Sequence, residues 1–113
     1  MRRSSAAPSW KDSAPLFAAL GDETRLRVVA RLSEEGPLSI TQLTEGAGVS
    51  RQAVTKHLQV LAGAGLVKNA RDGRENLWQL EPSRLVEARR LLDLISKEWD
   101  DTLDRLKAFV EKC

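Results

Sequence analysis

The spacing of apolar residues changes several times along the chain, and each change marks an element. Leu16, Phe17 and Leu20 recur at helical intervals before Gly21, and Leu26, Val29 and Leu32 after it. This pattern predicts helices over about 13–20 and 22–33, with those six residues as core. Gly36-Pro37 closes the second helix. Ser39, with Gln42 three positions on, is a capping pair that opens a third, short helix, which Gly46 and Gly48 break. Ser50 then caps a fourth helix through about Ala62, ended by Gly63 and Gly65. Residues 66–80 read as two strands around Asp72-Gly73, a dipeptide suited to a turn with positive φ at its central residues. Leu77 or Trp78, together with Leu80, would face the core.

After Pro82 no Pro or Gly occurs through Cys113. Leu85, Ala88, Leu92, Ile95, Trp99, Leu103, Leu106 and Val110 repeat at three- and four-residue intervals, which predicts one amphipathic helix over 82–112. About 30 residues span roughly 45 Å, more than a small domain needs to cover its own core. Part of the stripe is therefore expected to pack on a second copy, through Leu92, Ile95, Trp99, Leu103, Leu106 and Val110. Leu91, Leu94 and Phe109 widen it beyond a single seam. A purely intramolecular cover helix is the alternative.

The fourth helix separates by chemistry when its residues are placed 100° apart. Val54, Leu58 and Leu61 share one side; Gln52, Thr55, Lys56 and Gln59 share the other, with no carboxylate to repel phosphate. Gln can pair with adenine, Thr can touch a thymine methyl, and Lys can reach guanine or a phosphate. Gln52, Thr55 and Lys56 are thus candidate base readers, and Ser50, Arg51 and Gln59 candidates for setting register on the backbone. Arg71 and Arg74, flanking the hairpin turn, are candidates for contacts to the sugar-phosphate backbone or a narrow minor groove. A solvated helix face and a solvated basic loop are the plainer readings of each feature alone; their succession favours a DNA reader.

Charge sharpens the picture. The chain of 113 residues has a net charge of +2, and residues 51–80 hold five Lys or Arg against two acids, so the excess lies on the proposed reading surface. At this length, with 42% hydrophobic residues, one domain is expected over 13–113, preceded by a flexible arm over 1–12 in which Arg2 and Arg3 could brush DNA and Trp10 could pack on a partner. No run approaches the roughly 20 apolar residues needed to cross a bilayer. A lone histidine, His57, and a lone cysteine, Cys113, support neither a catalytic set nor a metal set, so no enzyme activity and no cofactor are expected. His57, beside the inward stripe, reads as structural, bonded to backbone or to a phosphate. The single thiol and the lack of a secretory signal point to the cytoplasm.

The segments LFAALGDETRLRVVARL (16–32), VSRQAVTKHLQVLAGAGLV (49–67) and RDGRENLWQL (71–80) resemble the ArsR/SmtB-type winged helix-turn-helix repressors of bacteria and archaea. The resemblance covers about residues 14–113. It implies a mainly α fold with a small β-hairpin wing, N- and C-terminal helices forming a dimer interface, and a homodimer that represses by binding a double-stranded DNA operator, its recognition helices in successive major grooves. Where metal-sensing members carry Glu-Leu-Cys-Val-Cys-Asp-Leu, this chain reads PLSITQL, with Ser39 and Thr41 at the cysteine positions, and 81–113 hold no histidine for the other known site. No metal is expected, and any small-molecule effector is left open. Two rivals remain: a winged helix used for protein contact alone, and a redox-responsive repressor pairing Cys113 across the dimer.

Overall fold

Three helices start by one device. Asp22, Ser39 and Ser50 take extended backbone, and each side-chain oxygen accepts from the N–H three residues on. In the computed structural model, which describes residues 10–112, the elements are α1 Trp10–Leu20, α2 Glu23–Glu35, α3 Ile40–Thr44, α4 Arg51–Gly63, β1 Val67–Asp72, β2 Glu75–Leu80 and α5 Pro82–Lys112. The Ser39–Gln42 pair forms the expected reciprocal box: the Gln42 N–H donates to Ser39 Oγ, and the Ser39 N–H to Gln42 Oε1.

The core gathers Leu16 and Ala19 of α1, Val28 and Leu32 of α2, Leu43 of α3, Val54, Leu58 and Leu61 of α4, and Ala88 of α5, with Leu38, Leu66 and Val67. Phe17, Leu20, Val29, Trp78, Leu80 and Leu85 pack on its margin. Helix α1 lies against α5, α3 pairs with α4, and α2 contacts α4 and β2. Strands β1 and β2 are antiparallel, from Val67 opposite Leu80 to Asp72 opposite Glu75. Leu38 adds a single bridge to Trp78, exchanging both backbone bonds. No described helix is long and apolar enough to cross a membrane.

Three sequence expectations change. Helix α1 begins at Trp10, so three residues assigned to the arm are helical; Pro15, in the second turn, removes only the bond to the Lys11 carbonyl. The rest of that arm, with Arg2 and Arg3, lies outside the described residues, as does Cys113. Leu26 is not core but 52% exposed, because α2 turns Val28 and Leu32 inward and residue 26 stands about 200° from residue 28. Finally, Asp72 pairs with Glu75, so the turn's central residues are Gly73 and Arg74. Only Gly73 has a positive φ, 65°, the arrangement of a II′-type turn with Gly first.

Candidate nucleic-acid interface

Helix α4 is held from three sides. Val54, Leu58 and Leu61 are fully buried, fixing its rotation. Its first turn is tied to α3 by Arg51, whose Nη1 donates to Thr41 Oγ1 at 3.2 Å. Ser50 Oγ accepts from the Ala53 N–H at 3.1 Å. Helix α3 is in turn secured to α2 by Arg31, which donates to the Gln42 and Glu45 carbonyls at its C-terminal end, where cations are favoured.

With the apolar side fixed, Gln52, Lys56 and Gln59 stand exposed and Thr55 half-buried. Thr55 Oγ1 donates to the Arg51 carbonyl at 2.9 Å, so its hydroxyl is committed to the helix and its methyl is the group left for contact. Arg74 sits in the hairpin turn itself and Arg71 on β1 opposite Asn76. Both are exposed, and neither forms an ion pair with a described residue. Lys68, by contrast, pairs with Glu81 at 3.1 Å, so one of the five cations counted in 51–80 is locally answered from just beyond that stretch. The Lys68 bond, followed by one from Ser83, holds the Glu81 carboxyl below its usual range.

Between α3, the start of α4 and the hairpin lies a concavity of about 500 Å³ lined by Ser39, Ile40, Thr41, Gln42, Arg51, Glu75 and Asn76. Thr41, Gln42 and Asn76 are polar groups in it that pattern reading does not assign to a reading surface: Gln42 stands out only as a capping partner, Thr41 only at a cysteine position, and Asn76 not at all. Their common location depends on the hairpin folding back beside α3, which no local spacing announces. The two positions compared with metal-binding cysteines are otherwise employed: Ser39 in the capping box and Thr41 under Arg51.

His57 is half-buried, and its partner is a side chain instead of the expected backbone or phosphate. Arg25 Nη1 lies 3.2 Å from His57 Nδ1. A guanidinium offers only donors, so Nδ1 is the acceptor and the neutral ring carries its proton on Nε2. Arg25 also donates through Nε to the Ala19 carbonyl, joining the end of α1, the start of α2 and the middle of α4. Asp22 Oδ2 stands 3.9 Å from the ring. The Arg25 backbone N–H, with the nearby Arg25 guanidinium adding to it, keeps the Asp22 carboxyl below its ordinary range.

Along α5 the apolar stripe divides. Ala88 and Leu91 are buried and Ile95 half-buried, whereas Leu92, Trp99, Leu103, Leu106 and Val110 are exposed, as is Trp10 at the start of α1. Trp99, 63% exposed, and Leu106, 57%, belong to a run of open apolar side chains along α5, the kind of surface that marks an interaction site.

Residues 20–69 match a family model described as a helix-turn-helix domain. The chain is similar to the HTH-type transcriptional regulator Rv2034 of Mycobacterium tuberculosis, at 40% identity over 76% of this chain and 91% of that one. It is 30% identical to the arsenical resistance operon repressor of Escherichia coli, over 84% of this chain and 79% of the repressor. Among solved structures, an ArsR-like transcriptional regulator from Rhodococcus sp. RHA1 superimposes with a TM-score of 0.73 at 36% identity, covering 88% of this chain and 93% of that one.

Proposed function

This chain belongs to the ArsR/SmtB family of winged helix-turn-helix transcriptional regulators, and from that premise we propose that it is a homodimeric repressor acting on an operator in double-stranded DNA in the cytoplasm. The observation that carries the reading is the division of α4: three fully buried aliphatic side chains fix its rotation, and the opposite face offers Gln52, Lys56 and Gln59 to solvent with no carboxylate among them. In this reading Gln52, Lys56 and the Thr55 methyl meet base edges in the major groove. Ser50, Arg51 and Gln59 contact the flanking backbone, and Arg71 and Arg74 hold the wing to it.

Self-association uses the outward part of α5, through Leu92, Ile95, Trp99, Leu103, Leu106 and Val110. The charge arrangement supports DNA over a protein partner. An adaptor has no need of Arg71 and Arg74, which pair with no acid among the described residues, at the tip of a hairpin beside a helix face without carboxylates. A two-fold protein reads a two-fold site, so half-sites should lie about one helical turn apart, roughly 34 Å, or a multiple of it.

Fluorescence anisotropy on duplex DNA from upstream of the protein's own gene, against a scrambled duplex and across a salt series, tests the proposal. Salt-sensitive preference for the upstream duplex is the expected result. Failure to bind any duplex at low salt would overturn it in favour of protein contact alone.

A further inference from the structure

We propose that Arg84 is a positioning residue that locks the recognition helix α4 to the α1–α5 pair, so that the orientation of α5 sets the spacing between half-sites the protein accepts. This rests on the DNA-binding, dimeric reading above. Arg84 lies in the first turn of α5 and distributes its three nitrogens over three elements. Nε donates to the carbonyl of Ala64, the residue that caps the C-terminus of α4, at 3.3 Å. Nη2 donates to the Asp12 carbonyl of α1 at 3.4 Å. Nη1 pairs with Glu87 Oε1, one turn along α5, at 2.6 Å, and Glu87 Oε2 accepts from the hydroxyl of Ser13 at 3.5 Å. Ser13 is fully buried, the one buried polar side chain among the described residues.

The stem of Arg84 is as constrained as its head. Gly65, where α4 turns into β1, has φ +79°, and a Cβ there would stand 3.1 Å from Arg84 Cγ. The arginine therefore lies directly on the backbone at the exit of the recognition helix. The side chains of Arg84 and Glu87 are 30% and 28% exposed, so their charge-assisted bonds are partly shielded from water.

Direction distinguishes this link from the others between α5 and the reading module. Leu85 and Ala88 join α5 to the core by apolar contact, which is non-directional and holds a distance better than an angle. The planar guanidinium fixes donor directions, and a cation at a helix C-terminus also satisfies carbonyls with no intrahelical partner. The lever is long enough to matter. The 13 residues of α4 extend roughly 20 Å from this pivot, so a tilt of about 10° displaces the reading end by about 3 Å, close to the rise of one base pair.

The test uses the full chain and a duplex selected by the parent from a random-sequence pool, then the same duplex with the half-site spacing changed by one base pair. Arg84→Lys keeps the charge without the fork, and Glu87→Gln keeps the shape while removing the ion pair. Both are compared with the parent by sedimentation, thermal unfolding and anisotropy. The parent should reject the altered spacing by at least about tenfold, whereas folded, dimeric variants should discriminate by no more than about twofold. Unchanged spacing discrimination in both variants would overturn the inference. Equal losses on every spacing and on an isolated half-site would do the same, marking Arg84 as merely structural; if Arg84→Lys does not fold, Glu87→Gln decides. A parent that selects no duplex removes the DNA-binding reading and this inference with it, whereas a selective parent with unaffected variants refutes only the coupling.

Discussion

Replacing Arg74 with Gln removes one wing charge per protomer without disturbing the hairpin, because Gly73 alone carries the turn's positive φ. The size of the effect follows from counting cations. With Lys68 committed to Glu81 and Lys56 assigned to a base edge, Arg51, Arg71 and Arg74 are left for the backbone in each protomer, so in the proposed complex a dimer neutralises about six phosphates. Each contributes about 0.9 to the slope of log affinity against log salt, giving a slope of about −5.4 for the parent and about −3.6 for Arg74→Gln. Between 50 and 200 mM salt the parent should lose about three decades of affinity and the variant about two. Anisotropy titrations of both proteins on the upstream and scrambled duplexes measure the two slopes. Because phosphate contacts carry no sequence information, the flattening should be the same on both duplexes. A variant slope indistinguishable from the parent's would refute the assignment of the wing to the DNA backbone, and a change confined to the upstream duplex would make Arg74 a base reader instead.

Gln52→Ala should behave oppositely. Losing a paired contact to adenine costs about 1–3 kcal/mol of discrimination, so preference for the upstream duplex should fall by about 5- to 150-fold while scrambled DNA is bound within about twofold of the parent; equal losses on both duplexes would contradict base reading. Leu106→Glu places a charge on an exposed position of α5, so circular dichroism should be unchanged, while the burial of two leucines forfeited per dimer weakens association by at least about a hundredfold in sedimentation equilibrium. An unaltered dimer would move the self-association surface elsewhere.

The parts of the fold legible in the sequence are those in which cause and effect lie within a few residues. Ser39 and Gln42 satisfy each other's backbone across three positions, Ser50 meets Ala53, and the absence of Gly and Pro after Pro82 gives α5 its full length. Periodicity is weaker evidence for what a face meets. Leu26 reads like core because an apolar residue at helical spacing signals burial somewhere, yet only assembly of α2 with α4 and β2 decides that Val28 faces inward and Leu26 outward. Leu91 and Leu92 illustrate the same point within α5: adjacent, equally apolar, one buried and the other open. The links that set the site's geometry were not legible at all. Arg25 reaches His57 across 32 positions and Arg84 reaches Ala64 across 20, and arginines on amphipathic helices look like ordinary solvated charges until the chain is folded.

The modest charge and the exposed α5 stripe make sense together. In the proposed reading one protomer offers four cations without an acid partner among the described residues and about three base-reading side chains, and discrimination of about 1–3 kcal/mol per good base contact is too little to single out one site among the competing sequence of a genome. A stronger field would raise affinity for every sequence alike, since phosphate attraction does not depend on base identity. Doubling the reader instead makes the second recognition event effectively intramolecular, multiplying specificity without adding indiscriminate charge. That gain depends on the two readers being held at a fixed separation, because a loose pair would accept many spacings and recover little of it. A long helix with apolar residues open to a second copy can hold the pair, and a directional bond from that helix to the end of the reader can hold each reader to it. In this chain α5 supplies both: the stripe from Leu92 to Val110 and, in its first turn, Arg84.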